Sequence, residues 1–183
     1  MLRQMKSFVL QKNKRERNAE TKSLLMVVAG LALTVANGIP LNPSYTPEVV
    51  REYKEKADAG DAEAQATLGS LYESGLGVEK DEACAVKWYR SAAELGSAEG
   101  QYCLGRSYEL GRGVKVDCVA VAKWYKKAAE QGHVQAQVRI GRCYARGWGV
   151  EKNAREAMKW YLKAAAQGSK EAIEELKSFG VLE

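Results

Sequence analysis

The chain runs to 183 residues, with 28 Lys and Arg against 23 Asp and Glu and a net charge of +5. The excess is local: residues 1–23 hold seven basic and two acidic side chains, which accounts for all of it, and residues 37–183 carry 21 of each sign. A neutral body excludes a nucleic-acid partner, whose capture rests on clustered Lys and Arg, and one histidine with no C-x-x-C pair excludes a zinc site.

The basic stretch gives way to thirteen uncharged residues, Leu24 to Ala36. As helix these reach roughly 20 Å, short of the ~30 Å hydrocarbon core of a bilayer. A basic region, a short apolar region and Thr34-Val35-Ala36 before Asn37 follow the order of a secretory signal peptide. The expectation is a signal peptide over residues 1–36, cleaved after Ala36, and an exported protein, periplasmic or secreted. Two other readings stand beside it. Residues 24–41, continuing through Ile39 and Leu41, serve as an uncleaved membrane anchor, although Asn37 and Pro40 interrupt them; or a basic arm precedes a short buried helix. Residues 37–46 read as a linker.

Thr46 as N-cap and Pro47 at the first helical position predict a helix over Pro47 to Ala59. The next 108 residues repeat. Leu68, Leu104 and Ile140 are 36 apart, as are Gly69, Gly105 and Gly141, Tyr72, Tyr108 and Tyr144, and Trp88, Trp124 and Trp160. Self-similarity at such a period marks a solenoid, in which each unit buries its apolar face against its neighbours. The copies span residues 61–96, 97–132 and 133–168. In each, Ala64, Leu68 and Tyr72 or their equivalents form one helical stripe. A second stripe follows at Ala85, Trp88, Tyr89, Ala92 and Ala93. Gly-x-Gly-Val separates them, at Gly75, Gly111 and Gly147, and stops the first helix. Each copy is therefore a helical hairpin. Gly60, Gly96, Gly132 and Gly168 close the second helices, and Asp61, Ser97, His133 and Ser169 stand in the next N-cap slot. The glycine triplets follow a helix and recur in every copy, so they read as structure rather than as phosphate loops.

Both ends look like half repeats that cap the array. Residues 47–60 match a second helix, with Tyr53, Ala57 and Gly60 in register. Residues 169–183 match a first helix and a tail, with Ala172 and Leu176 in register and Lys177 in place of the repeat glycine. Phe179, Val181 and Leu182 are placed to fold back over the last face. The fold class is all-α: a right-handed α-solenoid of helical hairpins with half-repeat caps at both ends, about 140 residues in one domain.

The pattern A-x-A-Q-x-x-L-G-x-x-Y, then G-x-G-V, then A-x-K-W-Y-x-x-A-A-x-x-G, resembles the Sel1-like repeat family, a relative of the tetratricopeptide repeats. The resemblance implies a non-enzymatic scaffold or adaptor for protein–protein contacts. It also implies that the first-helix face opposite the core lines an inner groove. That face collects Glu63, Ala66, Ser70 and Glu73, then Glu99, Tyr102, Arg106 and Glu109, then Gln135, Val138, Arg142 and Ala145, with Arg146 adjacent. Of these, Glu63, Glu99, Tyr102, Arg106, Glu109, Arg142 and Arg146 are the candidate partner-binding residues. Exposed Tyr and Arg are the side chains that anchor interfaces and clamp carboxylates. Trp148, where the other copies have Leu76 and Arg112, is a further candidate, as a loop contact or as a cover for the C-terminal cap.

Some secreted relatives carry paired cysteines at matching places in every repeat. Here Cys84, Cys103, Cys118 and Cys143 occupy four different repeat positions. Four cysteines allow three pairings; hairpin geometry brings Cys118 towards Cys143 without deciding the matter. A β-lactamase-like hydrolase, as attributed to cysteine-rich relatives, is the competing function, and a membrane-anchored assembly factor the third. No nucleophile with a nearby general base is visible, so no catalytic, metal or cofactor residue is assigned. His133 reads as a cap, since it fills the slot of Asp61 and Ser97.

Overall fold

The computed structural model describes residues 45–180. The expected signal peptide or anchor, most of the linker, and Val181 and Leu182 lie outside the described residues. Within them the chain forms eight helices and no strand: α1 Pro47–Asp58, α2 Ala62–Ser74, α3 Glu82–Glu94, α4 Ala98–Leu110, α5 Cys118–Glu130, α6 Val134–Arg146, α7 Ala154–Ala166 and α8 Lys170–Ser178. Helices α2 and α3, α4 and α5, and α6 and α7 pair as hairpins. Each hairpin packs on the next, and α1 and α8 cover the ends.

The caps explain why helices start where they do. Thr46 Oγ1 accepts from the Val49 amide at 3.5 Å, with Pro47 behind it. Asp61, Ser97, His133 and Ser169 each accept at the start of a first helix, His133 through Nδ1 from the Ala136 amide at 3.2 Å. The second helices start on Asp81, Asp117 and Asn153, whose side chains accept in the same way. This second row of caps was not read from the sequence, although acidic or amide residues recur there at the same period.

The core is serial rather than central. Leu68, Leu104, Ile140 and Leu176 are fully buried, and so are Tyr89, Tyr125 and Tyr161. Burying each such side chain stabilises the array by roughly 1.5–3 kcal/mol. The recurrent glycine one residue after the leucine exists for the tyrosine. A Cβ on Gly69 would lie 2.6 Å from the Tyr89 ring, one on Gly105 2.8 Å from Tyr125, and one on Gly141 2.6 Å from Tyr161. Trp160 is buried at 7 % exposure, but the other two repeat tryptophans contribute less burial than the pattern suggests. Trp88 and Trp124 are only half-buried, and lysines stack on two of the three rings: Lys127 lies 4.8 Å from the Trp124 centroid and Lys163 4.3 Å from Trp160.

The second glycine of Gly-x-Gly-Val has its own cause. Gly113 is left-handed at φ +65°, and a Cβ there would clash with the Glu82 carbonyl at the start of α3. Gly149 meets the Cys118 carbonyl at the start of α5 in the same manner, and Gly77 meets Tyr45 and Val50. Each Gly-x-Gly-Val loop is thus seated on the element before its own hairpin, backbone on backbone on the preceding hairpin at Gly113 and Gly149.

Candidate functional site

Consecutive first helices are stitched together by side chains along one face. Ser97 Oγ donates to Glu63 at 3.0 Å, and His133 Nε2 meets Glu99 at 3.1 Å. Glu73 accepts from the Tyr89 hydroxyl at 2.8 Å, from Arg106 at 2.6 Å and from Arg112 at 2.9 Å. Glu109 accepts from the Tyr125 hydroxyl and pairs with Arg139 at 3.7 Å. Arg142 bridges Glu171 and Glu175 of α8, each at 2.7 Å.

Five of the seven candidate residues of the first helices are held in place. Glu63, Glu99, Arg106, Glu109 and Arg142 share the face, and partners in neighbouring units hold each of them. Tyr102 is half-buried, its ring stacked on His133 at 4.5 Å and 5.7 Å from Tyr125. Arg146 alone among the candidate arginines is exposed and has no acidic partner among the described residues. Two residues assigned to the face do not belong to it: Ala66 and Val138 are 3 % and 1 % exposed, buried between helices rather than lining a groove. Trp148 does not cover the C-terminal cap. It lies half-buried against the cluster that joins Val121, Ala122 and Tyr125 of the preceding hairpin to Ile140 and Cys143 of its own, with its loop seated on α5.

Charge follows these contacts. Burial pushes the Glu73 carboxyl up, but hydrogen bonds from Tyr89 and Arg112 and the charge of Arg106 outweigh it and hold the group below the ordinary carboxylate value. The hydrogen bond with His133 holds Glu99 down against its burial. Along the row the sign changes. Helix α2 carries two acidic residues and no basic one, α4 two acidic and one basic, α6 three arginines and no acid.

Buried amides form a second row that sequence reasoning missed. Gln65, Gln101 and Gln137 donate to the carbonyls of Ala57, Ala93 and Ala129 at 2.9, 3.2 and 3.2 Å, so each first helix is tied to the end of the second helix before it. The Q of the repeat motif was the available signal.

Both ring nitrogens of His133 are engaged, by the Ala136 amide and by Glu99. All four cysteines are free thiols. Burial pushes Cys143 up to about 12 and Cys103 higher still, so neither is a thiolate at neutral pH. Among the described residues no three His, Cys, Asp or Glu side chains converge as a metal site.

The Sel1 repeat family model matches the chain over residues 62–97, 98–133 and 134–169. A Sel1 repeat protein from Oxalobacter formigenes is 41 % identical, with a TM-score of 0.66 over 70 % of this chain and 96 % of that one. A protective antigen of uropathogenic Escherichia coli strains, displaying an SLR fold, is 39 % identical with a TM-score of 0.70. The match covers 84 % of this chain and 33 % of the antigen, so this chain spans about a third of that protein. Cysteine-rich protein B of Helicobacter pylori is 27 % identical with a TM-score of 0.57, covering 70 % and 92 %. No curated protein matches in sequence. Proteins built of these repeats typically scaffold contacts between proteins. Three matched copies, set in consecutive hairpins, place the chain in the Sel1 repeat family.

Proposed function

We propose that the array is a non-enzymatic scaffold that holds a protein or peptide partner along the face of its first helices, and that it works outside the cytoplasm after export. One observation carries the first part. The polar side chains of that face are fixed in advance by partners in neighbouring hairpins, so little side-chain entropy is lost when a ligand lies across them. The change of sign from α2 to α6 would give a bound peptide a direction, with its acidic end at repeat 3.

Affinity capture from the native host with the purified protein as bait tests this. Arg146→Glu should lose the partner while the fold is unchanged, and Leu162→Arg, on an exposed position of α7, should keep it. Loss with Leu162→Arg and retention with Arg146→Glu would move the binding face to the second helices. Export is supported by the order of charge and apolarity in residues 1–36. Intact mass of the protein recovered from the periplasm or the medium decides it. A mass lacking residues 1–36 agrees, and the full-length mass in the membrane fraction replaces cleavage by anchoring.

A further inference from the structure

Tyr89, Tyr125 and Tyr161 occupy one position of the three repeats and are fully buried. The first two hydroxyls donate to carboxylates of their own hairpins, Glu73 and Glu109. The third, Tyr161 Oη, is buried with no hydrogen-bond partner among the described residues. The cause is in the chain: the residue 36 beyond Glu109 is Ala145. Ala145 packs against the cluster that holds Tyr161, so the repeat keeps the donor and lacks the acceptor.

In repeats 1 and 2 the unit that follows supplies the cations, whereas at repeat 3 they stand on its own first helix, as Arg142 and Arg146. Glu73 of repeat 1 is held by Arg106 and Arg112 of repeat 2, and Glu109 of repeat 2 by Arg139 of repeat 3, whose counterpart in α8 is Glu175. At repeat 3 the charges that bear on Tyr161 are Arg142, Arg146 and Glu175. Arg142 and Glu175 satisfy each other at 2.7 Å, and Glu175 makes no hydrogen bond to the phenol. Arg146 is left exposed and unpaired among the described residues, on the one first helix without an acid. Phe179, half-buried at the cap of α8, packs with its ring centroid 6.0 Å from that of Tyr161.

We infer that repeat 3 accepts a carboxylate from the partner in the place that Glu73 and Glu109 fill in repeats 1 and 2, taking the Tyr161 hydroxyl as donor and Arg146 as counter-charge. The inference deepens the proposed scaffold function and rests on it for the identity of the partner, a protein segment bearing an acidic side chain or a free chain end. The two repeats that supply their own carboxylate are the measure of the fit.

The test needs no partner. The purified full chain is titrated with propionate, and with propionamide as its neutral isostere, while NMR follows the Tyr161 ring and the Arg146 guanidinium. Propionate should shift both signals saturably and propionamide neither. Ala145→Glu restores the chain's own carboxylate; it should raise the thermal midpoint and abolish the response, so lost binding cannot be laid to misfolding. Equal responses to the two probes, a shift confined to the exposed Arg146, or a response that survives in Ala145→Glu overturns the inference. N-acetyl-glutamate amide and N-acetyl-glycine then separate a side chain from a chain end: tighter binding by either supports the site and names the source, and binding by neither overturns it. Failure of these titrations leaves partner capture standing, and failure of capture leaves the titrations standing.

Discussion

Gln131 donates its side-chain amide to Gln101 Oε1 at 2.8 Å, and Leu95 withholds the same bond from Gln65. Gln167 repeats the contact with Gln137 at 2.9 Å, and both outer glutamines also reach a glycine carbonyl one repeat back. In repeat 1 the corresponding residue is Leu95, 57 % exposed, and Gln65 Oε1 is buried without a partner. Leu95→Gln should therefore stabilise the protein by about 1 kcal/mol, the net worth of one such hydrogen bond. A urea midpoint at or below the parent's would show that the amide finds its partner elsewhere.

The Glu73 carboxyl makes stability fall in acid. Its folded-state pKa lies below the ordinary 4.5, so its contribution is fully present above that value and is lost as pH falls through the lower, folded one. Urea midpoints measured from pH 6 down to pH 3 should drop more steeply for the parent than for Glu73→Gln, which keeps an acceptor for Tyr89 and has no proton to take up. Parallel curves would assign the acid sensitivity to other carboxylates.

Arg106 and Arg146 look alike in the sequence, and their truncations should not behave alike. Arg106→Ala takes a 2.6 Å partner from Glu73, whose side chain is 11 % exposed, and should cost roughly 1–2 kcal/mol. Arg146→Ala removes an exposed side chain without an acidic partner among the described residues and should stay within about 0.5 kcal/mol. Chemical denaturation of the two variants side by side checks the contrast. A double change at Arg106 and Arg142 is for the same reason a poor probe of binding, since it would loosen the array itself.

The period made the hairpins, the end caps and the buried leucine row legible, because one residue type per 36 is a strong signal when it recurs three times. The role of His133 as a cap was legible in the same way. What escaped was anything formed between copies. Glu73 meets Arg106 and Arg112 across residue separations of 33 and 39, which no reading of one helix face reveals. Ala66 and Val138 were misplaced because a first helix is flanked by neighbours on two sides, so the face opposite its own partner is partly covered by the next unit. Trp148 was misplaced because the direction in which its loop leans depends on a backbone contact, not on its neighbours in sequence.

Two left-handed glycines separate conformation from space. Gly132 has φ +91° with nothing within 4 Å of an added Cβ, whereas Gly113 has φ +65° and abuts the Glu82 backbone. Gly132→Ala should cost about 1 kcal/mol, the strain of the backbone region alone, and Gly113→Ala markedly more, about 3 kcal/mol or beyond. Equal thermal midpoints for the two would mean that the loop moves off its seat at little cost. Leu104→Ala, at a position 0 % exposed, should cost roughly 2–5 kcal/mol as a cavity and sets the scale for both.

The seating of those loops runs one way. The loop at Gly113 rests on α3 and the loop at Gly149 on α5, each on the hairpin before its own. The hairpins overlap like roof tiles laid from the N-terminal side. Taking away the last tile uncovers a stretch of α5 and leaves every earlier seat filled; taking away the first leaves the next with nothing beneath it. A lineage that lengthens or shortens such an array disturbs it least by working at its C-terminal edge.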